Sequence, residues 1–111
     1  MAVRLDKPWR RLDATAVAGL SGQLGVYQLS DDGVTVRAII RVDARASFGL
    51  RGELGHELET RGAGLFFRLE VNHQPRTRWL ELMMTHQADH GALPAWNPPE
   101  DGQSLGRLSP A

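Results

Sequence analysis

The strongest restriction on the fold comes from one stretch in which two β-rich runs enclose a polar turn. It reads Leu24-Gly25-Val26-Tyr27-Gln28-Leu29, then Ser30-Asp31-Asp32-Gly33, then Val34 through Arg41. Asp and Gly between two such runs signal an antiparallel hairpin. In the second run Val34, Val36, Ala38, Ile40 and Val42 alternate with Thr35, Arg37, Ile39 and Arg41, the pattern of a half-buried strand. In the first run Gly25, Tyr27 and Leu29 share one face and Leu24, Val26 and Gln28 the other. Tyr27 therefore sits beside a glycine where backbone is accessible. Its phenol is either an ordinary strand aromatic at the rim or a working side chain.

The segments around this hairpin read as helices and one more strand. Before it, Asp13 can cap a short helix over Ala14–Ala18 that Gly19 and Gly22 close. After it, Leu50, Leu54 and Leu58 recur every four residues from Phe48 to Thr60, which marks an amphipathic helix. Glu53, His56 and Glu57 are assigned to its other side. Gly49, Gly52 and Gly55 each cost about 0.5–1 kcal/mol in a helix interior, so close packing or a ligand is expected against them. Leu65, Phe67, Leu69 and Val71 alternate in a third strand. Pro75 then opens a helix to His90 with Trp79, Leu82, Met83 and His86 as its buried stripe. The order helix, hairpin, helix, strand, helix gives an α+β domain, a small antiparallel or mixed three-stranded sheet flanked by helices.

The chain has 111 residues, enough for one domain. We place that domain at 1–99 and expect a disordered Gly/Ser/Pro-rich tail at 100–111. Thirteen basic and thirteen acidic residues cancel, so the whole-molecule field attracts neither nucleic acid nor an anionic membrane, and nucleic-acid binding would need a local patch. Cysteine is absent, which removes disulfides and thiolate chemistry. No apolar run reaches the ~20 residues of a membrane span. A cytoplasmic protein with no membrane partner is the expectation.

His86 and His90 stand at i and i+4, the spacing with which a helix chelates zinc. Gln87 stands where a zinc-protease helix needs its glutamate base, so that chemistry lacks a base. The alternative is structural: His90 beside Gly91 can meet the last carbonyls of the helix, and His86 lies on the core stripe. No phosphate loop, nucleophile elbow or serine triad is present. The polar groups able to converge are Tyr27, Arg51, Glu53, His56, Glu81 and Asn97, a set that would suit one-metal phosphodiester hydrolysis.

From Leu24 to Asn97 the chain resembles the GIY-YIG endonuclease superfamily. Gly25-Val26-Tyr27 matches its first signature, and Leu50-Arg51-Gly52-Glu53-Leu54 looks like its first helix. Glu81 is placed like its metal-binding glutamate, and Pro94-Ala95-Trp96-Asn97 is similar to its closing segment. The resemblance implies Tyr27, Arg51, Glu81 and Asn97 as catalytic positions around one concave surface, with Mg2+ or Mn2+ on Glu81 in an active enzyme. The second signature, Tyr-x-Gly, should fall near Arg37 to Ile40 and is absent. Glu53 stands where the family has its phosphate-stabilising arginine, a role left to Arg51 or Arg45. The expectation is a divergent GIY-YIG-like domain that has lost ordinary nuclease activity and serves as a binding or accessory module, on DNA or another nucleic acid. The alternatives are an active phosphodiesterase or nuclease, and a protein-interaction domain.

Overall fold

The computed structural model of the chain describes residues 4–102. Its elements are β1 (Arg10–Arg11), α1 (Ala14–Ala18), β2 (Gly25–Ser30), β3 (Ala38–Val42), α2 (Gly49–Arg61), β4 (Phe66–Val71) and α3 (Pro75–His90). The strands form one wholly antiparallel sheet in the order β1-β4-β2-β3. The architecture is α+β, with one strand more than the three expected. In that extra strand Arg10 and Arg11 pair with Phe67 and Phe66, and two residues are too few to display an alternation.

The hairpin strand β2 lies between β4 and β3, and all six of its residues are buried. It is a central strand covered on both faces. Tyr27 and Leu29 join Phe67, Leu50 and Leu54 in a core beneath α1 and α2. Val26 joins Ile39, Trp79, Leu82 and Met83 in a second core beneath α3. Fully burying a leucine such as Leu50 or Leu54 contributes about 1.5–3 kcal/mol.

The second half of the hairpin begins later than the alternation predicts. Val34 is exposed and β3 starts at Ala38. The cause is Asp32, whose carboxylate accepts from the amides of Val34 and Thr35 at 2.8 and 2.7 Å and from the Thr35 hydroxyl at 2.8 Å. Those amides are thereby taken from the ladder. The same bonds hold the Asp32 carboxyl well below the usual carboxylate range.

Gly25 does not open backbone to solvent. A Cβ there would lie 2.1 Å from the Glu70 carbonyl oxygen, so the glycine allows β4 to come close. Gly49, at φ +62, likewise admits the backbone of Gly22 and Gln23 at the start of α2. The caps follow the sequence: Asp13 accepts from the Ala16 amide, and Gly91 in the left-handed region closes α3 on the Gln87 carbonyl. Among the described residues no helix is long and apolar enough to cross a membrane. Most of the tail expected to be disordered, residues 103–111, lies outside the described residues; Asp101 forms a turn and accepts from Asn97 Nδ2 at 2.9 Å.

Candidate functional site

Tyr27 is 1 % exposed, and its hydroxyl donates to Glu57 Oε2 at 2.7 Å. Glu57 also accepts from Arg61 Nε at 2.8 Å, and the Arg61 guanidinium lies 4.9 Å over the Trp96 ring. Burial first, and then the bond to Glu57, push the Tyr27 phenol far above its ordinary pKa. This hydroxyl is a protonated structural donor inside the domain. It is neither a rim group nor a group free to orient water.

Asn97 sits next to Trp96 and is also committed to structure. Its side-chain amide accepts from the Ile39 amide and donates to the Ile39 carbonyl, both at 2.8 Å. It thus closes the outer edge of β3 as a neighbouring strand would. Tyr27 and Asn97 are therefore linked through Glu57, Arg61 and Trp96, and the link carries packing.

Arg51 and Glu81 lie elsewhere. α3 packs on the sheet face opposite Tyr27. On it the Glu81 carboxylate is 53 % exposed and lies 3.7 Å from Arg78, beside Asn72 and Thr77. The single concave surface expected for Tyr27, Arg51, Glu81 and Asn97 is not formed. A metal ion on Glu81 would be separated from the Tyr27 hydroxyl by the sheet, and no group of three or more His, Cys, Asp or Glu among the described residues is arranged to hold one. His86 and His90 do not gather a third donor either. Their rings lie 4.4 Å apart and tilted, and His86 Nδ1 is 3.0 Å from the Ala92 carbonyl oxygen. Burial lowers the His86 pKa more than that contact raises it.

Arg51 instead lines a shallow concavity of about 740 Å³ between α1 and α2, with Phe48, His56, Gly52 and the carboxylate-bearing Glu59. Phe48 is 76 % exposed at the N-cap of α2. A Cβ at residue 52 would lie 2.4 Å from that of Phe48, so Gly52 is what lets the phenyl group rest over the first turn. Among the described residues no carboxylate lies within ion-pair distance of Arg51. The glycine side of the helix expected to meet backbone or ligand is thus partly open, with an aromatic face and an unpaired guanidinium on it. Glu53 and Arg45 take no part in this concavity. Phe48 escapes a sequence reading because an apolar residue at a helix start is assigned to the core.

Neither a curated protein nor a solved structure matches the chain. A family described as a domain of unknown function (DUF7508) matches residues 3–89. That span reaches from the segment before β1 to the last turn of α3, and the chain belongs to this family.

Proposed function

We propose that this chain is a GIY-YIG-like accessory module that holds a single nucleic-acid strand in the α1–α2 concavity and does not cleave it. The observation that carries the reading is the exposed Phe48 ring beside Arg51 in one concavity. An exposed aromatic takes a base by stacking, worth about 1–3 kcal/mol, and an unpaired arginine takes the adjacent phosphate. Net charge is zero, so attraction is confined to such a patch and the salt dependence is shallow. The order hairpin, helix, strand, helix, with β2 central, supports the GIY-YIG-like part of the reading.

The commitments of the expected catalytic groups support the loss of hydrolysis. Tyr27 donates to Glu57, Asn97 closes β3, and Glu81 lies on the other side of the sheet. Incubation of the protein with a labelled single-stranded oligonucleotide and Mn2+ tests both halves at once. Retention of the intact strand supports the module. Cleavage lost in Glu81→Ala establishes the nuclease alternative, and absence of any salt-sensitive binding favours a protein-interaction domain.

A further inference from the structure

On the opposite face, between α3, β3 and the segment before β1, runs a groove of about 490 Å³. Its size is that of a small-molecule site. Its base is a cross-strand row: Arg68 on β4 pairs with Gln28 on β2, which pairs with Ile39 on β3. α3 covers the Ile39 end, where Leu82 and Leu93 supply apolar wall.

The two polar side chains in this row bond to each other and keep further donors unused. Gln28 is 4 % exposed, and its Oε1 accepts from Arg68 Nε at 2.7 Å. Neither hydrogen of its amide nitrogen has a partner among the described residues. Arg68 also donates through Nη1 to the Lys7 carbonyl and lies 4.2 Å over the Trp9 ring, which leaves Nη2 unused. No carboxylate among the described residues is within ion-pair distance of Arg68; desolvation lowers its pKa more than Asp6, a carboxylate on the same groove, raises it. The other arginines on the groove are neutralised: Arg4 is bound by Asp89 through two hydrogen bonds, and Arg37 is paired with Asp31.

We propose that this groove is a binding site for a small monocarboxylate with an apolar body, its carboxylate on Arg68 Nη2 and the Gln28 amide, its hydrocarbon against Ile39, Leu82 and Leu93. Arg68 is the one arginine of the groove without an ion-pair partner among the described residues, which suits a monoanion, whereas a phosphate dianion requires more cationic donors than the groove leaves free. The planar pair of guanidinium and amide donors matches a planar carboxylate. The site lies on the face of the sheet away from Phe48 and Arg51, so it stands or falls independently of nucleic-acid binding.

NMR titration of the full chain with hexanoate, with hexanol as the uncharged control and inorganic phosphate as competitor, tests this. Hexanoate is expected to shift the Gln28 side-chain amide, the Arg68 Nε–H and the Leu82 and Leu93 methyls along one saturable curve. Hexanol should bind about tenfold or more weakly, because it makes no charge-assisted hydrogen bond. Arg68→Met should weaken hexanoate binding by a similar factor. Arg68→Lys, which keeps the charge and loses the fork, should weaken it by less, and the comparison of hexanoate with hexanol needs no variant at all. Equal binding of hexanoate and hexanol, displacement by equimolar phosphate, or no saturable shift with hexanoate would each overturn the proposal.

Discussion

The Tyr27 hydroxyl and the Glu57 carboxylate meet at 2.7 Å inside the core beneath α2, and Arg61 holds the other carboxylate oxygen. Tyr27→Phe removes the donor and leaves a largely buried carboxylate oxygen unsatisfied, which costs about 1–3 kcal/mol. Urea denaturation of Tyr27→Phe, Glu57→Gln and the double variant measures it. We expect the two single losses to exceed the double loss by more than about 0.5 kcal/mol, as for residues in direct contact. Strict additivity would mean that the bond contributes nothing.

The outer edge of β3 is closed from two directions. Asn97 pairs with both backbone groups of Ile39, and Trp79 Nε1 donates to the same carbonyl at 2.8 Å. Asn97→Ala should cost about 1–3 kcal/mol and speed hydrogen exchange at the Ile39 amide, which otherwise has its acceptor in Asn97. Exchange unchanged at Ile39 would remove Asn97 from the edge.

Trp79 is 3 % exposed, and its loss also empties the core beneath α3. Trp79→Ala is expected to cost about 3–5 kcal/mol. The exposed His90 should cost at most about 1 kcal/mol. Thermal or urea midpoints of the two variants, with and without chelator, separate them. Similar shifts, or a chelator-sensitive shift at His90, would restore a metal role for His86 and His90.

Asp32 organises the turn that delays β3. Its folded pKa is depressed, so its contribution is present above the unfolded value of about 3.9 and is lost as pH falls through the lower folded value. The amide resonances of Val34 and Thr35 should therefore hold steady from neutral pH to about pH 4 and move only below it. Asp32→Asn should abolish that acid step. A step centred at or above about pH 4 would show that the turn does not hold the carboxylate.

How much of this was legible varied with the kind of residue. Leu50, Leu54, Leu65, Trp79, Leu82 and Met83 lie in the cores their spacing assigns them, because apolar periodicity and burial express the same physical preference. Glu57 was misassigned although it stands at i+7 from Leu50. The helical spacing placed it inward, and its charge argued outward until Tyr27 and Arg61 supplied partners. Val34 kept the alternation of a strand but lost it to the side chain of Asp32, a local competition that alternation does not register. The expected site failed for a related reason. Glu81 lies about 100° from Leu80 and Leu82 around α3, and the side on which α3 packs was not encoded in that helix alone.

The most direct measurement is a fluorescence-anisotropy titration of a labelled single-stranded oligonucleotide with wild type, Phe48→Ala and Arg51→Gln over a range of salt. A strand stacked on Phe48 and bound by Arg51 predicts that Phe48→Ala weakens binding by about 1–3 kcal/mol at every salt concentration. Arg51→Gln should reduce the slope of log K against log salt by about 0.7. Both residues lie on the surface, so near-identical urea midpoints are expected for the three proteins. Binding that neither substitution changes, or no binding by the wild type at low salt, would contradict a nucleic-acid site between α1 and α2.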